Sequence, residues 1–132
     1  MVLSIESHRK VTGQLAKAIG CRVVSVGYRL APEHPHPAPV TDGVAVYRAL
    51  LDRGYPAGRI ALSGDSAGAS PTVSSLMKIR DDGLPPPVGG VPMSPPVDLG
   101  RTGASLQTNA SVDSSSVPNC SKQSNPARKC TR

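Results

Sequence analysis

The sequence has no phenylalanine and no tryptophan, and only three tyrosines. Aromatic side chains bury the most apolar area per residue, so a core here must be assembled from smaller aliphatic groups and stays thin. Cysteine is scarce as well. Cys21, Cys120 and Cys130 are an odd number at wide spacing, which excludes a disulfide framework and a zinc ribbon. No apolar run approaches the roughly 20 residues that span a bilayer. Residues 1–6 lack the basic and long apolar stretches of a secretory signal, and Cys130 stands third from the end, where no prenylation box can form. No membrane partner is therefore expected, and the cytoplasm is the expected compartment.

Charge is spread unevenly along the chain. Residues 114–132 hold Lys122, Arg128, Lys129 and Arg132 without a single acid, whereas residues 1–113 carry 11 basic and 9 acidic side chains. The net charge of +6 is thus mainly a property of the tail. No aromatic residue interleaves with those cations, so they offer no stacking platform and no nucleic-acid partner is expected. The division expected is an ordered domain over residues 1–113 and a basic, disordered tail over 114–132.

The 132 residues suffice for one modest domain. Val11, Leu15 and Ile19 recur at four-residue spacing, which predicts a helix over residues 7–19 closed by Gly20. Val23, Val24 and Val26 predict a buried strand over residues 22–28. Four prolines make residues 30–39 a loop. Pro39 suits the first turn of a second helix, with Val40, Val44, Tyr47 and Leu51 on one face and Gly54 at its end. Residues 59–63 predict a short strand, and a third helix follows with Val73, Leu76 and Met77 on one side and Gly83 after its end. A last strand over residues 88–99 is weakened by Pro92, Pro95 and Pro96. The three tyrosines are expected to pack with their hydroxyls near water. Alternation of helix and strand argues for an α/β fold with parallel strands and crossover helices.

Chemistry concentrates in Gly64-Asp65-Ser66-Ala67-Gly68, placed between a strand and a helix. Gly-x-Ser-x-Gly in that setting is the nucleophile elbow. Its serine sits on a strained turn, the glycines let strand and helix approach, and the N–H of Ala67 is placed to donate to an oxyanion. The alternative is a glycine-rich turn with an ordinary surface serine. His34-Pro35-His36 supplies two potential metal ligands, with no acid or cysteine cluster beyond Glu33 to complete a site, so no metal is expected.

Tyr28-Arg29-Leu30-Ala31-Pro32-Glu33-His34-Pro35 and Gly64-Asp65-Ser66-Ala67-Gly68 resemble two signatures of the hormone-sensitive-lipase-like bacterial esterases. Ser7-His8-Arg9 and Ser94-Pro95-Pro96-Val97-Asp98-Leu99 resemble the flanking stretches, in the same order and spacing. The likeness covers residues 2 to about 113. It implies a partial α/β-hydrolase fold with an incomplete sheet, and hydrolysis of short- to medium-chain carboxylic esters without a cofactor. Ser66 is the implied nucleophile, the Ala67 N–H the oxyanion donor, and Gly64, Asp65 and Gly68 the rest of the elbow. The partner implied is a small-molecule ester; nothing implies an oligomeric state.

The chain departs from that pattern in three places. Triad order in the fold is Ser, then acid, then His, yet His8, His34 and His36 all precede Ser66. Asp81, Asp82, Asp98 and Asp113 follow Ser66, but none lies in the family's catalytic-acid motif. The family's His-Gly-Gly oxyanion motif would fall before residue 2, as would the strand that separates those at 22–28 and 59–63. Ala69-Ser70-Pro71 replaces a glycine and helix formers. With Ser70 as cap and Pro71 as first helical residue, the helix would start late and draw its dipole away from Ser66. An inactive, truncated or pseudoenzyme fragment is the alternative function.

Overall fold

The computed structural model describes residues 5–96 and 102–109. The chain divides into two compact units, Met1–Pro96 and Val97–Arg132. The expected boundary at residues 113/114, the basic tail, Asp98, Asp113, Cys120 and Cys130 lie outside the described residues.

Helix α1 spans Ile5–Ile19 and stops at Gly20, whose φ of 68° is left-handed. The Cys21 N–H closes it on the Ala16 carbonyl at 3.1 Å. The predicted stripe is there, but it stands exposed among the described residues: Val11 is 56% and Ile19 64% exposed. Ile5 Cδ1 lies 2.9 Å from where a Cβ on Gly27 would stand.

Residues 22–28 are not a strand. Their valines favour extension, but a strand exists only through ladder bonds to a neighbour, and among the described residues they have none. The segment is tied down at its ends instead. Arg22 donates to the Tyr55 hydroxyl and its guanidinium lies 5.8 Å from the ring centre. At the other end, Arg29 engages Asp42 through its backbone N–H at 2.9 Å and through Nη2 at 2.7 Å.

Helix α2 runs Ala38–Asp52, with Pro39 in its first turn where no N–H is needed. Val40, Val44 and Tyr47 are buried on one face, as the spacing predicts. Tyr47 departs from expectation: only 2% exposed, its hydroxyl is satisfied by the Pro85 carbonyl at 2.6 Å rather than by water. A 3₁₀ turn at Ala57–Arg59 takes the start of the predicted strand, so β1 spans Ala61–Asp65. Helix α3, Ala69–Asp81, crosses to β2, Gly89–Met93, which pairs parallel with β1 from Ala61↔Gly89 to Asp65↔Met93. Pro92 sits opposite Gly64 without breaking the ladder. In a sheet of two strands each has an open edge among the described residues, where a missing N–H is tolerated.

The core is Val44, Tyr47 and Ile79, with Leu51, Ile60, Leu62 and Leu84 around it. The side of α3 that carries Val73 and Leu76 is half-buried, with Leu76 Cδ1 2.5 Å from where a Cβ on Gly90 of β2 would stand, but the fully buried residues are others. Ala69, Thr72, Ser75 and Ile79 are buried, whereas Met77 is 51% exposed. Small residues win because α3 lies close to its neighbours; the Ser75 Oγ is 2.9 Å from where a Cβ on Gly43 of α2 would stand. In the second unit, the described residues form α4, Ala104–Thr108.

Candidate active site

A tight bend joins β1 to α3. Asp65 ends β1 in extended geometry at φ −114° and ψ 138°. Ser66 then takes φ 50°, and a 3₁₀ turn, Ser66–Gly68, leads directly into α3. A serine in the left-handed region costs about 1–2 kcal/mol. The strain is held by the elements on either side, and the serine stands exposed at the apex.

The two motif glycines do different work. A Cβ on Gly64 would lie 2.2 Å from the Gly68 carbonyl oxygen, 2.5 Å from its carbon and 2.5 Å from the Thr72 Oγ1. Only a bare α-carbon lets β1 come so close to the turn. A Cβ on Gly68 would meet only the Tyr28 hydroxyl, at 4.0 Å. The expectation that both glycines serve close approach is therefore corrected for Gly68. Thr72, unnoticed in the sequence, closes the back of the elbow: it is 7% exposed and its hydroxyl donates to the Gly68 carbonyl at 2.9 Å. Its signal was a hydroxyl four residues beyond a motif glycine, the spacing of one helical turn.

The late helix start is also corrected. Gly68 caps α3 and Pro71 is its third residue, with no gap between the 3₁₀ turn and the helix. The opening N–H groups of a helix have no intrahelical acceptor, so a proline there forfeits nothing. The positive end of α3 therefore starts immediately behind Ser66. For the same reason the Ala67 N–H, at the second position of the turn, stands outside the helical ladder and can serve an anion.

No described histidine is hydrogen-bonded to Ser66, whose hydroxyl has no partner among the described residues. His8 lies on α1 with Nδ1 3.2 Å from the Ser7 Oγ. His34 and His36 sit on the exposed loop before α2. An open depression of about 360 Å³ is lined by His36, Val40, Ser74, Met77, Lys78 and Asp81, none of them in the elbow. Among the described residues no three His, Cys, Asp or Glu side chains gather as a metal site.

Ion pairs brace the scaffold. Hydrogen bonds from the Arg29 side chain and backbone hold the Asp42 carboxyl well below its ordinary value of 3.8, at about 2. Asp82 is lowered too, by Lys78 and Arg48, whose nitrogens lie 3.0 and 2.9 Å away. Through Arg29–Asp42, the Tyr28-containing segment is clamped to α2 near the elbow.

A family model described as the alpha/beta hydrolase fold matches residues 1–126. The chain belongs to that family. It is 48% identical over 105 residues to an acetyl-hydrolase of Streptomyces hygroscopicus, covering 80% of this chain and 35% of that protein. An esterase of Acinetobacter venetianus is 36% identical over 110 residues, with 83% and 36% covered. Among solved structures, an esterase from the bacterial hormone-sensitive lipase family superposes with a TM-score of 0.82 at 50% identity, over 85% of this chain and 38% of that one. EstE5, soaked with p-nitrophenyl butyrate, gives 0.79 at 44% identity over 83% and 37%. The chain thus spans little more than a third of the length of these relatives. Among the described residues, no helix of this α/β-hydrolase chain is long and apolar enough to cross a membrane.

Proposed function

We propose that this chain carries the nucleophile of a carboxylic ester hydrolase and that Ser66 is that nucleophile. One observation bears the weight: a non-glycine residue held at φ 50° between a parallel strand and a helix N-terminus, its hydroxyl exposed and without a partner among the described residues. An exposed serine on such a bend between strand and helix is what a nucleophile elbow calls for.

In this reading Ser66 Oγ bonds to the acyl carbon and loses its proton to a general base. The carbonyl oxygen gains charge beside the Ala67 N–H and the start of α3. Collapse breaks the bond to the alkoxy group, which leaves as the alcohol with that proton. Water then attacks the acyl-serine, releasing the acid and restoring the hydroxyl. Esters of short to medium acyl chains are the substrate class, in keeping with the butyrate ester soaked into EstE5. The reaction calls for no cofactor.

A second reading rests on the absence of any described imidazole at Ser66. A serine without a base is a weak nucleophile, and the chain then presents the site without turning over. Two measurements on the full chain separate these readings: p-nitrophenyl butyrate hydrolysis and labelling with an alkyl fluorophosphonate, each with Ser66→Ala alongside. Ester hydrolysis above the Ser66→Ala background establishes turnover. Stoichiometric labelling without hydrolysis establishes a reactive serine that does not turn this ester over. Identical behaviour of both proteins in both assays removes Ser66 as nucleophile.

A further inference from the structure

We infer that Thr72 is a positioning residue for Ser66, acting through the Gly68 carbonyl; the inference rests on the reading of Ser66 as nucleophile. Thr72 lies one helical turn beyond Gly68 and is buried. Its Oγ1 donates to the Gly68 carbonyl at 2.9 Å and lies 2.5 Å from where a Gly64 Cβ would stand. The hydroxyl therefore touches both sides of the bend, the glycine that enters it and the glycine that leaves it. Ser66 is two residues from each. Any change in the separation of Gly64 and Gly68 alters the arc on which Ser66 and the Ala67 N–H are carried.

The local sequence makes this clamp more consequential. Pro71 precedes Thr72 and, at the third position of α3, supplies no N–H of its own to the turn behind Ser66. The Thr72 hydroxyl adds a bond to the Gly68 carbonyl. Threonine bonding of this kind, to the carbonyl four residues back, also tilts that carbonyl and bends the helix start. A purely packing role would need only the volume of the side chain. The clamp needs the hydroxyl, because a methyl group cannot sit 2.9 Å from a carbonyl oxygen. Thr72 touches no substrate in this scheme; its effect on reactivity passes through the backbone.

The test is fluorophosphonate labelling of the full chain followed to saturation, so that the maximal rate constant, the half-saturating concentration and the labelled fraction are read separately. Wild type, Thr72→Val, Thr72→Ser and Ser66→Ala are compared, with far-UV circular dichroism of each. A displacement near 1 Å at a reacting group is worth on the order of 100-fold, so a partial shift in Thr72→Val should lower the maximal rate constant at least about tenfold. The half-saturating concentration should stay within about twofold, since no ligand contact is lost. Thr72→Ser, which restores the hydroxyl, should recover to within about threefold of wild type. A merely structural role predicts a smaller labelled fraction at an unchanged rate constant, and that pattern overturns the inference. A Thr72→Val rate equal to wild type, or a Thr72→Ser rate as low as Thr72→Val, overturns it too. If wild type labels no more than Ser66→Ala, the nucleophile reading falls and the inference with it. Labelled wild type with an indifferent Thr72→Val removes the inference alone.

Discussion

Replacing Gly64 with alanine tests whether the bend is set by backbone contact rather than by motif composition. The added Cβ would sit 2.2 Å from the Gly68 oxygen, against about 3.4 Å for ordinary contact, so about 1 Å must be found. Neither obstacle on the Gly68 side is a flexible side-chain end; both are backbone atoms of the turn itself. The Thr72 hydroxyl stands in the way as well, and it is buried. Overpacking of this kind costs about 1–3 kcal/mol. A misplacement of about 1 Å at Ser66 is worth on the order of 100-fold in reactivity. Gly68→Ala is the matched comparison, because its Cβ would meet only the Tyr28 hydroxyl at 4.0 Å and its φ of −80° suits any residue. It should cost less than about 1 kcal/mol, the ordinary range for losing a glycine helix cap, and leave labelling within about fivefold. Urea denaturation gives the stability of each variant, and fluorophosphonate labelling gives the reactivity. Equal losses in the two variants would refute the reasoning, since the motif would then demand glycine for a reason unrelated to the measured approach.

Two further outcomes follow from the scaffold. The Asp42 carboxyl is held at about 2 in the folded chain against an ordinary 3.8, so its pairing with Arg29 stabilises the fold above the ordinary carboxylate range and that contribution is lost as pH falls from 3.8 through about 2. Asp42→Asn should therefore flatten the pH dependence of urea stability in that window, and an unchanged slope would refute the assignment. Ile79 is 1% exposed at the centre of a small cluster, so Ile79→Ala should cost about 2–4 kcal/mol in chemical denaturation; a loss under about 1 kcal/mol would show that the core lies elsewhere.

What could be read in advance divides by the range of the interaction. Helices α1 and α2 were legible from spacing, because a four-residue repeat and a terminal glycine are local signals. The packed face of α3 was legible only in part, through the half-buried Val73 and Leu76. Hydrophobicity nominated Val73, Leu76 and Met77, whereas the helix turns Thr72 and Ser75 inward. Close approach to Gly64 and Gly43 leaves room only for small side chains there, and which neighbour a helix will meet is not written in its own periodicity. Pro71 misled for a related reason. Read alone it is a first helical residue, but the 3₁₀ turn supplies the helix with an earlier start, and the third position tolerates proline equally well.

The contrast between residues 22–28 and β1 shows why the candidate site forms where residues 22–28 make no strand. Both segments are extended and apolar in sequence. β1 finds β2 by a short crossover through α3, so its ladder, the elbow and the helix behind it are all made by residues 61–93. Residues 22–28 have no such neighbour among the described residues and rely on Arg22–Tyr55 and Arg29–Asp42 at their ends. Side-chain clamps fix where a segment begins and ends, but not the ladder that makes it a strand. The strained serine is therefore supported by the most self-contained part of the fold. Its geometry depends on Gly64, Thr72 and the start of α3, all within ten residues of it, rather than on completion of the sheet.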